Sequence, residues 1–174
     1  MSTRFCLAWA MLVIAFAMAI PALASEADAL RPVVVNLHER PEVLAHDSGK
    51  GKKMFLPRLL LFDAQGRLVA YQPGYTDNID QLLRHALKRD QPITDKANLA
   101  LAVGETLDAD GRAVTVDSLP KADAYVLDYW ADWCSPCHML ARDLQQFLPR
   151  WHGIRVAWLK IEADPEKAAH SETK

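Results

Sequence analysis

The chain has 174 residues, of which 51% are hydrophobic and 24% charged, and its formal net charge is −2 at pH 7. This length suits one globular domain with its own core. The near-zero charge argues against the basic surface of a nucleic-acid-binding protein, so we expect no nucleic-acid partner.

The first 24 residues have the pattern of a secretory signal peptide. Arg4 supplies a positive charge, residues 7–20 are apolar, and residues 22–24 form an A-x-A cleavage site before Ser25. The alternative is a retained membrane anchor, but the apolar stretch is short for a bilayer span. We therefore expect cleavage, a periplasmic location and no stable membrane insertion.

Export would leave the mature chain with two of its three cysteines. Cys6 lies in the signal and would be removed with it, whereas Cys134 and Cys137 remain. Disulfides persist outside the cytosol, so this pair would reside where it can be oxidised.

A β-rich run, VVVNL at 33–37, is the first predicted element of the mature chain. Pro41 can begin a short helix toward Ala45, because proline is tolerated in the first helical turn. The sequence DSGKGKK at 47–53 then predicts a solvated polar loop.

Two apolar runs at 55–62 and 67–71 flank the turn sequence DAQG, which predicts a β-hairpin ending at Gly74. Thr76 or Asn78 is expected to cap the following helix. That helix has apolar residues at the spacing i, i+3, i+4, i+7 and i+8, which gives one buried face. These residues are Ile79, Leu82, Leu83, Ala86 and Leu87.

Residues 91–97 are interpreted as a linker, and the Asp110-Gly111 pair predicts a small hairpin. The run YVLDYW at 125–130 predicts a buried strand with one acid in it. A turn follows, and then a helix with one apolar face and a proline at its end. Its apolar residues are Leu140, Leu144, Phe147 and Leu148.

The last predicted strand is IRVAWLKI at 154–161. Asp164 and Pro165 could then cap a short C-terminal helix.

Cys134 stands where the helix after the YVLDYW strand should begin. The first amides of a helix are unpaired and carry partial positive charge, so they stabilise a thiolate. A cysteine at this position becomes a nucleophile near neutral pH. Cys137, one helical turn later, can attack a mixed disulfide formed by Cys134.

The segment YVLDYWADWCSPCHML resembles the thioredoxin family. The shared features are an apolar strand with a buried acid, two tryptophans, the Cys-x-x-Cys pair and an amphipathic helix. A Cys-x-x-Cys pair alone is weak evidence, but behind such a strand it is specific. Leu56-Pro57 and the hairpin after it are similar to the cis-proline and hairpin of the family's second half.

The resemblance implies a role for each site residue. Asp128 matches the family's buried acid beneath the second cysteine, where it could take the proton of Cys137. An apolar setting should raise its pKa. Lys160 matches the family's buried lysine near that acid. The expected substrate-binding surface consists of Trp133, Leu56, Pro57, Ser135 and Pro136.

The two halves of the family's fold occur here in reversed order. Residues 25–95 resemble its second half and residues 96–174 its first half. Three explanations are open: one permuted thioredoxin fold, two partial domains that complete each other in a dimer, or a shortened chain. A core shared by both halves avoids an uncovered sheet edge, so we favour the permuted fold. In this fold the 58–72 hairpin pairs beside strand 125–130, and the 33–37 strand lies at an edge of the sheet. The expected class is α/β, with a central mixed sheet and helices on both faces.

The resemblance implies a protein-disulfide oxidoreductase that needs no cofactor or metal beyond its redox-active cysteine pair. Its expected partners are exported proteins with cysteines and an upstream thiol redox protein.

Two other functions use the same residues. The sequence CSPCH also spells the attachment signature of c-type haem, with His138 as the axial ligand. Alternatively Cys134, Cys137 and Met139 are soft ligands that could hold Cu(I) in a copper chaperone. The apolar strand, the WADW lead-in and the lack of an evident distal-methionine segment after the site argue against haem. Asp128 favours thiol exchange over copper binding, because a copper carrier does not need a buried proton acceptor.

Overall fold

A computed structural model describes residues 31–44 and 55–164. Its strands are β1 (Val33–Glu39), β2 (Arg58–Asp63), β3 (Leu68–Pro73), β4 (Thr106–Leu107), β5 (Ala124–Trp130) and β6 (Val156–Glu162). They form one six-stranded sheet in the order β3-β2-β5-β6-β1-β4. Both halves of the chain therefore contribute to a single sheet.

The helices are α1 (Ile79–Arg89), α2 (Leu99–Gly104) and α3 (Ser135–Phe147), with 3-10 turns at Val116–Ser118 and Leu148–Arg150. Residues 41–44 also form a helical turn. Within the described ranges, no helix has the length and apolar character that crossing a membrane requires.

Strand β5 lies at the centre of the sheet and is buried at every position except its last. It runs parallel to β6 and antiparallel to β2, which in turn forms a hairpin with β3. A strand buried on both faces needs a neighbour on each side to satisfy its backbone. The prediction that the hairpin pairs beside the YVLDYW strand is confirmed.

Successive side chains of β5 point to opposite faces of the sheet and divide the core into two layers. Val126 faces the layer formed by the buried sides of α1 and α3, including Leu83 and Leu144. Leu127 faces the opposite layer, where α2 contributes Leu99 and Val103. The predicted α/β class, with a mixed sheet and helices, is confirmed.

Helix α2 was not predicted from the sequence. The LALAVG segment is too short to show a helical period, and tertiary packing of its apolar residues stabilises it. Asn98 caps it, since its side-chain oxygen accepts a hydrogen bond from the Leu101 amide at 3.0 Å. Asparagine is a preferred capping residue, so Asn98 was the available signal.

Strand β1 was expected at an edge of the sheet, but it is second in order. It pairs in parallel with β6 from Val33 to His38. Its other side pairs with β4 only at His38 and Glu39. The expectation that β1 is the edge strand is therefore wrong, because β4 lies beyond it. Among the described residues, however, no strand lies on the outer side of positions 33–37.

The small hairpin predicted around Asp110-Gly111 is present. Leu107 bridges Ala113, and the Gly111 amide donates to the Asp108 carbonyl at 3.0 Å. Gly111 has φ +76°, a backbone conformation that glycine adopts without strain. The predicted signal peptide, the 47–53 loop and the C-terminal helix from Pro165 lie outside the described residues.

Candidate active site

The cysteine pair lies at the junction between β5 and α3. Cys134 is the N-cap residue of α3, and its sulfur accepts the Cys137 amide hydrogen bond at 3.2 Å. Pro136 occupies the first turn, where its missing N–H leaves no intrahelical bond unmade. The helix start therefore directs a backbone donor at the Cys134 sulfur, as the sequence predicts.

Cys134 and Cys137 form a disulfide with an S–S distance of 1.98 Å. Both residues are buried, with 3% and 1% of their surface exposed. The intervening Ser135 and Pro136 are exposed, and so is Trp133. These three residues therefore lie at the surface next to the buried cysteines in the chain, and their substrate-binding role stays a prediction.

Leu56 packs against the cluster that contains both cysteines. The Leu56–Pro57 peptide bond is cis, as predicted, and Pro57 is buried. The Pro57 carbonyl accepts a hydrogen bond from the Gly74 amide at 2.7 Å, which ties this bend to the end of the hairpin. The first half of the chain thus reaches the disulfide within one molecule.

Asp128 is fully buried in β5. Burial raises the pKa of its carboxyl to about 7, although the positive charge of Lys160 acts in the opposite direction. Neither carboxylate oxygen has a hydrogen-bond partner among the described residues, and the buried Trp158 indole N–H also lacks one. The Trp158 indole also lowers the pKa of Asp128, but it does so less than Lys160, and the two groups do not form a hydrogen bond.

Lys160 lies directly across from Asp128 on β6. Its ammonium nitrogen is 4.9 Å from the centre of the Trp130 ring and 5.6 Å from that of the Trp158 ring. Aromatic faces attract a cation, so the two tryptophans hold this charge against the sheet. The structure brings Asp128 and Lys160 together, as the sequence predicts.

His138 and Met139 follow Cys137 in the first turns of α3. A ring nitrogen of His138 lies 2.9 Å from the Asp132 carbonyl oxygen, so the imidazole N–H donates back to the loop before Cys134. Met139 is 44% exposed, and residues two apart on a helix do not share a face. The helix therefore does not bring Met139 together with Cys137, as a three-sulfur copper site would need.

Metal-binding groups show a related result. Across residues 31–44 and 55–164, no three His, Cys, Asp or Glu side chains are grouped to hold a metal ion.

An ion pair beside the Leu56–Pro57 bend was missed from the sequence. Arg58 donates to the buried carboxylate of Glu39 at 3.1 Å, and its guanidinium lies 3.9 Å from the centre of the Tyr129 ring. Burial raises the pKa of Tyr129. Because Arg58 directly follows Pro57, these contacts anchor the backbone that presents Leu56. An acid ending the β1 run was the available signal, but its partner is 19 positions away.

Comparisons with known proteins agree with this geometry. The thioredoxin family model matches residues 113–174. Thioredoxin from Thiocapsa roseopersicina is 42% identical over 48 residues, which cover 27% of this chain and 53% of that protein. Thioredoxin from Haemophilus influenzae is 39% identical over 62 residues, covering 35% and 53%. Thioredoxin 1 from Chlorobaculum tepidum is 33% identical over 60 residues, covering 33% and 59%.

The chain spans about half the length of the thioredoxins that it matches. No solved structure matches it significantly. The family-model match covers residues 113–174, which include the cysteine pair, and this part of the chain is similar to thioredoxin.

Proposed function

We propose that this protein is a thiol-disulfide oxidoreductase that exchanges disulfides with protein substrates through Cys134 and Cys137. The observation that supports this most strongly is the position of the pair at the start of α3, with the Cys137 amide donating to the Cys134 sulfur. The same backbone donor and the helix dipole would stabilise the Cys134 thiolate when the disulfide is reduced.

Exchange proceeds in two thiolate attacks. The Cys134 thiolate attacks a substrate disulfide, a bond forms between Cys134 and one substrate sulfur, and the other substrate sulfur leaves as a thiolate. Cys137 then loses its proton and attacks the Cys134 sulfur, which closes the protein disulfide and releases the second substrate thiolate. Two electrons pass to the substrate, and the reverse sequence oxidises a substrate dithiol.

Asp128 is the proposed acceptor of the Cys137 proton. Its pKa of about 7 lets it accept and release a proton near neutral pH. Lys160, held over Trp130, keeps that pKa from rising further. A satisfied structural acid would have hydrogen-bond partners, and neither oxygen of Asp128 has one among the described residues.

The substrate would approach the exposed side of the disulfide. Trp133, Ser135 and Pro136 surround the sulfurs there, and Leu56 packs beside them. An extended substrate segment could pair with the Leu56 backbone in the manner of an added strand. Pro57 has no amide hydrogen to donate, so the backbone hydrogen bonds to the substrate would be made by Leu56.

We interpret the architecture as a permuted thioredoxin fold spanning residues 25–174. The antiparallel pairing of β2 with β5 and the contact of Leu56 with the cysteines within one chain support this interpretation. They remove the need for a second copy to complete the site.

The proposed setting is the periplasm, after cleavage before Ser25. There the pair would exchange with exported cysteine-containing proteins and with an upstream thiol partner. The intact mass of the exported protein should correspond to a chain beginning at Ser25. A mass that corresponds to a chain still containing Met1 or Cys6 would contradict the soluble periplasmic assignment.

The activity is tested with the purified protein and a disulfide-bonded protein substrate. We expect the reduced protein to reduce the substrate in stoichiometric amount and catalytically when dithiothreitol regenerates it. Equilibration with glutathione then gives the reduction potential of the Cys134–Cys137 pair. A value of about −270 mV indicates a reductant and one of about −120 mV an oxidant. Absence of any exchange above the dithiothreitol background would contradict the proposal.

A further inference from the structure

A groove of about 430 Å³ lies between β1 and α3, beside the site described above. Val34 and Asn36 of β1 line one wall, and Arg142 and Gln145 of α3 line the other. Its floor includes Lys160 of β6, which lies directly across the sheet from Asn36. The groove therefore lies alongside Val34 and Asn36 of β1.

No described strand covers the outer side of β1 along this groove. Among the described residues, β4 pairs only with His38 and Glu39 and leaves positions 33–37 uncovered. Val33 and Val34 are each 49% exposed. An unpaired strand edge presents free backbone donors and acceptors, and an extended peptide can add to it as a further strand. Alternate side chains of such a peptide would point toward α3.

The charges in the groove favour one kind of peptide. His138, Arg142 and Lys160 line it, and none of the described residues that line it is acidic. Glu162 lies further along β6, but it is paired with the imidazole of His38 at 3.1 Å. Two copies of this chain joined edge to edge would bring their cationic grooves together, which like-charge repulsion opposes.

We propose that β1 and this groove bind an extended, acidic segment of a partner protein by strand addition. Its backbone pairs with positions 33–37, and its carboxylates face Arg142 and Lys160. The groove reaches His138, the residue after Cys137, so a partner bound here is held beside the disulfide. The binding itself requires no thiol chemistry and can be measured on the oxidised protein.

The probe is a fluorescein-labelled ten-residue peptide of alternating valine and aspartate, and its anisotropy is measured with the purified oxidised protein. We expect saturable binding that weakens as salt is added. A peptide with lysine in place of aspartate, and one N-methylated at every amide, should not bind. Amide hydrogen exchange at positions 33–37 should slow when the aspartate peptide is present.

Arg142→Glu should weaken binding of the aspartate peptide by roughly fivefold or more, since it replaces an attraction with a repulsion. Arg142 is exposed on α3, so the fold should be retained. The matched control is Lys88→Glu, which makes the same charge change at an exposed position of α1 and should leave binding unchanged.

Several results would overturn the proposal. They are equal binding of the lysine and aspartate peptides, full binding of the N-methylated peptide, and equal effects of Arg142→Glu and Lys88→Glu. No binding at millimolar peptide would overturn it too. A concentration-dependent dimer that protects positions 33–37 without peptide would show that a second copy occupies this edge. None of these results depends on disulfide exchange, so the proposed activity stands or fails separately.

Discussion

We expect Cys134→Ser to abolish disulfide exchange, whereas Cys137→Ser should accumulate mixed disulfides with the substrate. Cys134 is the N-cap of α3 and receives the backbone donor, so its thiolate makes the first attack. Removing a nucleophile should lower the exchange rate by roughly a thousandfold or more. Removing Cys137 leaves the first attack intact and eliminates the thiol that resolves it.

Exchange rates and non-reducing gels with a disulfide substrate measure both effects. Gln146→Ala is the control, because this exposed residue lies in the last turn of α3 and outside the proposed substrate-binding surface. Alkylation of the reduced protein at low pH should modify Cys134 before Cys137. Preferential alkylation of Cys137, or an active Cys134→Ser variant, would reverse the assigned roles.

We expect Asp128→Asn to stabilise the protein by roughly 4 kcal/mol at pH 8, with almost no effect at pH 4. Burial raises the Asp128 pKa from 3.8 to about 7. Between these values the unfolded chain releases a proton that the folded protein retains, so stability falls as the pH rises through this window. Above pH 7 this loss of stability is complete, and its free energy follows from the difference between the pKa values of Asp128 in the folded and unfolded states.

Urea unfolding of the oxidised protein at pH 4 to 9 measures this difference. Asp123→Asn is the control, because hydrogen bonds from Arg155 hold the pKa of that partly exposed carboxyl below its usual range. Ionised Asp123 stabilises the folded state through Arg155 at any pH above the pKa that Asp123 has in the unfolded chain, and this stabilisation is lost on acidification. Asp123→Asn should therefore be less stable than the unchanged protein at neutral pH. Parallel pH profiles for Asp128→Asn and the unchanged protein would mean that Asp128 is not the titrating group.

The local features of the site were predictable because neighbouring residues determine them. A continuous apolar run with one embedded acid identified β5 and Asp128, and the following turn placed Cys134 at a helix start. The hairpin of β2 and β3 followed from two apolar runs around DAQG. In each case the signal and the structure lie within about ten residues of each other.

Contacts between distant segments were harder to predict. The ion pair between Arg58 and Glu39 forms because the start of β2 and the end of β1 lie at the same end of the sheet. The position of β1 in the sheet depends on β4, whose two residues carry no strand pattern. Helix α2 depends on the core that Leu99 and Val103 enter. These features depend on the assembled sheet, which no local pattern of the chain encodes.

The strand order has a consequence for biosynthesis. The two middle strands of the sheet, β5 and β6, come later in the chain than the other strands that the structure describes. The earlier strands β1 and β2 flank the positions that β5 and β6 later fill. Strand β2 can pair early with β3, but its second neighbour β5 and the parallel partner of β1 come from the later segment that includes the cysteines. Pairing between such distant segments is slow, because the chain between them must first be closed into a loop. The nascent chain therefore gains its central sheet in the same event that delivers Cys134 and Cys137.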